Sequence, residues 1–405
     1  MQDFSFIDSK EYKDFITQHQ NEDIIKLRLK KFSDLPFDKD FAIRQIDCRN
    51  RTKHKLPTLW DKIIFPTDIS TEQCTSEILA EFHANLFEGC EKVVDFTSGL
   101  GIDSYFISKG VKHLQSIEID ENVSNTAKYN FKRLGADNAT AICDNAEHFA
   151  ETIDSEISAC FIDPSRRVEK DKTIRSYGLK DCQPDLNQIL GNIHSKCNFI
   201  IVKASPMIDV TQTLSDFPNI SDIWILSVKN ECRELLFKIL LKDAKVQGTV
   251  IHTLNFENSS TQNFEFSFNE KPNTEIAKIS PAEGNLLLMP NASIMKSGAF
   301  DLVCDKLKLG KVADNSHLFA TEDESIVNAF PGRVFRIIKA AGLSKGEIKE
   351  IHNDYPAANI ICRNFPLSPA ELQKKLKIKD GGKNYIIATT DHTNKKVILC
   401  CEKLN

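Results

Sequence analysis

From about residue 90 the apolar positions fall into short blocks of four to eight residues, separated by amphipathic stretches of helical spacing. Strands are expected at Lys92–Asp95, Leu114–Ile119, Ala139–Cys143, Ala159–Ile162, Phe199–Lys203, Asp222–Val228 and Glu234–Leu241. Helices are expected between them at Ile102–Ser108, Asn122–Leu134, Ala146–Glu151 and Asp185–Ile193. Short apolar strands alternating with helices predict a parallel sheet covered on both faces. The last two strands leave no room for a helix between them, so they are expected as an antiparallel pair at one sheet edge.

Before residue 90 the pattern is helical. Asp23–Phe32 carries Ile24, Ile25, Leu27, Leu29 and Phe32 among Lys and Arg, and Ser70-Thr71-Glu72-Gln73 reads as a cap before Ile78, Leu79, Phe82 and Leu86. After residue 242 the period changes. Strands are expected at Gly248–Leu254, Gly284–Met289 and His317–Thr321, with alternating Phe264, Phe266 and Phe268 and a helix near Asn291–Leu307. The remainder reads strand (Arg333–Lys339), helix (Ser344–Ile351), strand (Ala357–Cys362), helix (Ser368–Leu376) and two strands, Asn384–Thr390 and Lys396–Cys401, joined at Asp391-His392-Thr393-Asn394. This predicts small α+β domains with helices on one face of a sheet. The expected division is 1–90, a helical region; 91–245, an α/β core; and two α+β domains, 246–328 and 329–405.

Length and composition narrow the class. A chain of 405 residues exceeds one ordinary core. With 41% hydrophobic and 27% charged residues, it is a globular protein. No apolar run reaches the roughly 18 residues of a membrane helix, and Met1-Gln2-Asp3-Phe4-Ser5 does not read as a signal peptide. The 12 cysteines are scattered without a Cys-x-x-Cys pair, so neither zinc ligation nor a disulfide framework is expected, and a reducing cytoplasm is the default. The net charge of −5 hides an asymmetry. Pro331–Asn405 holds 14 Lys/Arg against 7 Asp/Glu, leaving −12 for the rest. A basic terminal domain suggests a polyanionic partner. A second basic cluster, Arg44, Arg49, Arg51, Lys53 and Lys55, precedes the first core strand.

The candidate chemistry gathers at the strand ends. Val93-Val94-Asp95-Phe96-Thr97-Ser98-Gly99-Leu100-Gly101 reads as a strand running into a glycine turn and a helix, where bare backbone can meet a polar ligand. A dinucleotide site prefers a third glycine, which is absent. Asp95 beside the turn would repel a pyrophosphate but could pair with a cationic ligand, such as the amino group of S-adenosylmethionine. Glu118, ending the second strand, is placed for ribose hydroxyls. Asp144 could accept an adenine amine, while Asn145 or a backbone N–H faces a ring nitrogen. The fourth strand ends in Asp163-Pro164-Ser165-Arg166-Arg167. There the Asp side chain or an adjacent carbonyl can accept a hydrogen bond from a substrate amine, and the arginines can clamp phosphate or pair with Glu169 and Asp171. His194, His252 and His317 stand singly, and no metal site is expected.

With these residues in place, 70–242 resembles the class I S-adenosylmethionine-dependent methyltransferases. Asp95-Phe96-Thr97-Ser98-Gly99-Leu100-Gly101, Ile117-Glu118-Ile119-Asp120 and Thr126-Ala127-Lys128-Tyr129-Asn130-Phe131 are similar to the RNA cap guanine-N2 methyltransferases and their relatives. The whole chain resembles a bacterial group with a Rossmann-like methyltransferase core, a ferredoxin-like domain and a C-terminal THUMP-like domain. Leu288-Met289-Pro290-Asn291-Ala292-Ser293 marks the middle domain, and Pro331-Gly332-Arg333-Val334-Phe335 and Cys362-Arg363-Asn364-Phe365-Pro366-Leu367 the terminal one. The resemblance implies an S-adenosylmethionine-dependent methyltransferase acting on RNA. Asp95, Thr97, Gly99, Gly101, Glu118, Asp144 and Asn145 would hold the cofactor; Asp163, Pro164 and Arg166 would face the target. One departure stands out. Amino-directed nucleic-acid methyltransferases carry Asp-Pro-Pro and an aromatic, whereas this chain has Asp163-Pro164-Ser165-Arg166. A protein or small-molecule acceptor, or a non-catalytic RNA-binding protein with a relic fold, are the alternatives.

Overall fold

The computed structural model describes residues 4–166, 178–242, 244–258 and 260–405, with Arg166 described by its backbone alone. The chain divides into two compact units, one of Met1–Ser221 with Leu236–Gln247, the other of Asp222–Leu235 with Gly248–Asn405.

The first unit is organised by a parallel sheet. Lys92–Asp95 lies between His113–Glu118 and Ile157–Ile162, with Ala139–Cys143 outside the second strand and Cys197–Ala204 beyond the fourth. The register pairs Asp95 with Ser116 and Phe161, Glu118 with Cys143, and Ile162 with Val202. The carboxyl ends of five strands therefore come level, and Asp144, Glu118, Asp95, Asp163 and Lys203 follow one another across the rim. Local chemistry sets the helix ends. Asp120 caps Glu121–Leu134 by accepting from Val123 N–H, and Gly135, at φ 71°, closes it. The amphipathic face of this helix buries Ala127 and Phe131.

The N-terminal region is helical, as its pattern implies, and its longest helix, Lys39–Thr52, carries Arg44, Arg49 and Arg51 of the basic cluster. Its apolar side joins an aromatic-rich cluster of Phe4, Tyr12, Phe15, Phe37 and Phe41. One buried amide braces this region internally and a second docks it onto the core. Gln45 donates to Phe65 C=O and accepts from its N–H, both at 2.9 Å. Asn130 does the same to Ile64, at 3.0 and 2.9 Å. Each amide satisfies backbone groups that a buried connection would otherwise leave unpaired.

Strands Ile220–Val228 and Glu231–Leu240 are neighbours joined by a two-residue turn at Lys229 and Asn230, both at positive φ. Within the second unit this hairpin is not an edge, contrary to expectation: Val250–Phe256 pairs in parallel with Asp222–Val228, and Thr261–Ser267 pairs antiparallel beyond it. The rest of that unit is a seven-stranded sheet shared by the segments on both sides of residue 329. Its order is Gly310–Lys311, Phe319–Thr321, Leu286–Pro290, Gly332–Ala341, Lys396–Lys403, Lys379–Thr390, Ala357–Arg363. Strict alternation sorts its faces. Leu286, Leu288, Val334, Ile398 and Cys400 pack against residues of four helices. Leu287, Met289, Phe335, Leu399 and Cys401 pack on the other side. The single helix expected near 291–307 is two, Ala292–Ser297 and Phe300–Leu307, broken at Gly298. Ser344 and Ser368 each form a capping box, with Glu347 and Glu371.

Candidate active site

The glycine turn is built by backbone geometry that few other residues tolerate. Gly99 and Gly101 sit at φ 51° and 81°. A Cβ on Gly99 would meet nothing within 4 Å, whereas one on Gly101 would lie 3.0 Å from two ring atoms of Phe131 and 3.4 Å from Ala127 Cβ. One glycine serves packing; the other leaves bare backbone beside open space. Glu118 braces the turn: its Oε2 accepts from Gly99 N–H and its Oε1 from Asp120 N–H, each at 2.9 Å. Its neighbour Ile119 is 69% exposed, an apolar side chain held out beside a carboxylate. Sequence reading passed over it.

Asp95 occupies a different place from the one expected. Its carboxylate is wholly buried and cannot meet a ligand's ammonium group. Ser104 Oγ donates to Oδ2 at 2.5 Å and Thr97 N–H to Oδ1 at 3.0 Å. Ser104, Ser116 and Ser98 continue the chain of hydroxyls beneath the turn, at 2.8 and 2.5 Å. Burial, against the Ser104 and Thr97 hydrogen bonds, pushes the Asp95 pKa up to about 7. Asp95 therefore shapes the turn from below.

At the third strand end, Asp144 holds His148 Nδ1 at 2.9 and 3.0 Å and accepts from Asn145 N–H at 2.8 Å. Asn145 Oδ1 caps the helix Ala146–Thr152 through His148 N–H. That oxygen is thus engaged in the fold, while a contact to a ring nitrogen would fall to the Nδ2 donor of the same amide.

At the fourth, Asp163 N–H donates to Thr97 Oγ1 at 2.6 Å, which ties the strand end to the glycine turn. Its Oδ2 pairs with Lys203 Nζ at 2.6 Å, from the neighbouring strand, with the lysine side chain 12% and the aspartate 38% exposed. Lys203 is thus one partner of Asp163. Lys203 Nζ also donates to Thr75 Oγ1 at 3.2 Å, and Thr75 Oγ1 donates to Asp103 Oδ2 at 2.5 Å. Asp103 Oδ1 meets Nδ1 of the fully buried His83 at 2.8 Å. Burial raises the Asp103 pKa, but the His83 hydrogen bond and charge, Lys203 and Thr75 outweigh it and hold the carboxyl down at about 2. None of Lys203, Thr75, His83 and Asp103 was assigned a role from sequence. A lysine closing the apolar run Phe199-Ile200-Ile201-Val202 was the available signal.

Pro164 follows Asp163, and Ser165–Arg166 pairs with Cys182–Gln183 as a two-residue ladder. Arg167, Glu169 and Asp171 lie outside the described residues. The basic cluster Arg44–Lys55 is partly consumed. Arg51 pairs with Glu72, and Lys55 donates to the Thr71 and Glu72 carbonyls at 3.3 and 2.9 Å. Among the described residues no group of His, Cys, Asp and Glu could hold a metal ion, and no helix is long and apolar enough to cross a membrane.

Residues 332–403 match the THUMP domain-like family and 287–331 a ferredoxin-like domain family. No curated protein matches the chain. A solved structure from Porphyromonas gingivalis W83, named provisionally as a methyltransferase, is 27% identical, with a TM-score of 0.86 over 97% of this chain and 98% of that one. An rRNA methylase from Streptococcus thermophilus covers 42% of this chain and 98% of its own at 14% identity and TM-score 0.31. A Streptococcus mutans protein solved with S-adenosylhomocysteine covers 41% and 96% at 14% identity and TM-score 0.30. Those two likenesses are too partial to bear weight; the strand order and the full-length match carry the assignment. The chain thus joins a Rossmann-like class I methyltransferase fold to a ferredoxin-like and a THUMP-like domain.

Proposed function

We propose that the protein transfers a methyl group from S-adenosylmethionine to RNA. The observation that carries the cofactor reading is the turn itself: Gly99 presents backbone beside open space, braced by Glu118, with exposed Ile119 next to it. These residues fit the group. Glu118 retains lone pairs beyond its two backbone bonds for ribose hydroxyls, and Ile119 offers an apolar surface to a base. The cofactor, when bound, supplies a methyl on a sulfonium. Asp163, held by Thr97 at its N–H and by Lys203 at its carboxylate, is fixed at the adjacent strand end as an acceptor for a substrate proton. A group positioned in this way lowers the barrier by orientation rather than by covalent chemistry.

RNA as the acceptor is supported by the THUMP-like match and by charge. Lys374, Lys375, Lys377 and Lys379 are exposed around the end of the helix Pro369–Leu376. Among the described residues no ion pair engages them. A protein or small-molecule acceptor is favoured by the missing aromatic after Pro164. Mass spectrometry of nucleosides from cells with and without the gene tests the proposal. One methylated nucleoside lost with the gene is expected; identical nucleoside profiles would refute RNA as the acceptor.

A further inference from the structure

The second unit holds a cleft of about 790 Å³, within the range of ligand sites. It is lined where the hairpin turn at Lys229 and Asn230, the strand Thr261–Ser267 and the Pro331-Gly332-Arg333 segment meet. Its wall is a fixed amide network. Asn255 Oδ1 accepts from Asn230 N–H at 2.9 Å, Gln262 Nε2 donates to Gly332 C=O at 3.0 Å, and Asn405 Nδ2 donates to the same carbonyl at 3.2 Å. These amides hold the lining rigid rather than awaiting a ligand.

The charges are not balanced in the same way. Among the lining side chains, Lys229, Arg333 and Lys403 face a single carboxylate, Glu257, a net side-chain charge of +2. Arg333 is half-buried, and its Nη2 donates to Met289 Sδ at 3.0 Å, a weak acceptor for a guanidinium. Among the described residues no carboxylate lies within ion-pair distance of it, or of Lys229 or Lys403. Burial pushes the Arg333 pKa down, and the like charge of Arg363 adds to this against the pull of Tyr385 and Glu257. A half-buried cation without an anion is costly, and a phosphate offers the bidentate partner that would offset the cost. Two exposed lysines at the same cleft suit further phosphates of a strand, while the largely polar lining suits ribose and base edges.

We infer that this cleft seats the backbone of single-stranded RNA, with one phosphodiester on Arg333 and its neighbours on Lys229 and Lys403. The inference rests on RNA being the substrate class. It is tested with the full chain and a fluorescein-labelled single-stranded RNA of about 12 nucleotides, by anisotropy across a KCl series. Arg333→Gln is expected to weaken binding at least about tenfold, with Arg333→Lys recovering part of it. The Lys229→Ala, Lys403→Ala double variant changes exposed side chains only. It is expected to flatten the slope of log affinity against log salt by about 1.4, from roughly 0.7 per lost contact. Retention by this double variant of the parent's affinity and salt slope would overturn the seat while leaving the RNA reading intact. No binding by the parent chain would overturn both.

Discussion

Gly99 and Gly101 stand two residues apart in one turn, and the structure assigns them opposite sensitivities. Replacing Gly101 with Ala puts a Cβ 3.0 Å from Phe131 Cε1 and Cζ at φ 81°, against a ring only 2% exposed. Left-handed strain costs about 1–2 kcal/mol and overpacking about 1–3. At about 2–4 °C per kcal/mol, the melting temperature should fall by roughly 5–15 °C. Replacing Gly99 adds strain of about 1 kcal/mol and no clash, since nothing lies within 4 Å of its Cβ. Its melting temperature should fall only about 2–4 °C. The methyl would stand where a ligand approaches the backbone, so affinity for S-adenosylhomocysteine should drop at least about tenfold. Folded Gly101→Ala should bind within about threefold of the parent. Differential scanning and titration calorimetry on both variants measure these quantities. Undiminished binding by Gly99→Ala would refute the cofactor seat at this turn.

Three further outcomes are expected. Lys203→Met should cut kcat about 10–100-fold with unchanged S-adenosylhomocysteine affinity; it should also move the acid limb of the rate profile to higher pH, because Asp163 loses its cation, and Lys203→Arg should restore the profile. An unchanged profile would make the ion pair merely structural. Asp95, with its folded pKa raised to about 7 from 3.8, favours the folded state when protonated. That contribution is complete below pH 4 and is lost as pH rises through 7. Asp95→Asn should therefore be more stable than the parent at pH 8 by a few kcal/mol and lose that advantage at pH 4; equal stability in chemical denaturation at both would contradict it. Lys374→Gln, Lys375→Gln, Lys377→Asn, with Asn chosen because Lys377 sits at φ 57°, should weaken RNA binding and lower the salt slope by about 2. Binding unchanged in filter assays across salt would remove these lysines from the interface.

The legible part of the fold was the part written in local pattern. Four-to-eight-residue apolar runs placed the core strands close to their observed ends, and Ser344 and Ser368 announced their helices through the glutamate three residues later. The site was legible as a row of acids at strand ends, because a parallel sheet brings those ends level. What a row of letters cannot carry is depth and neighbour. Asp95 reads like an exposed acid, yet it lies buried, held by the Ser104 hydroxyl and the Thr97 N–H. Lys203 lies 40 residues from Asp163 in sequence, and only adjacency of their strands makes them a pair. The hairpin at 229–230 looked like a sheet edge because nothing local encodes that Val250–Phe256 returns beside it. Gly332 had a visible reason to be conspicuous in Pro331-Gly332-Arg333: a Cβ there would lie 2.2 Å from Met289 C=O.

The central claim is methyl transfer from S-adenosylmethionine to RNA at the Asp163 strand end. Its most direct measurement is the transfer of tritiated methyl from S-adenosylmethionine to RNA purified from cells lacking the gene. The account predicts label that RNase releases and protease does not, and that Asp163→Asn reduces at least about tenfold while still binding S-adenosylhomocysteine. Label that survives RNase, or incorporation indifferent to Asp163→Asn, would contradict it.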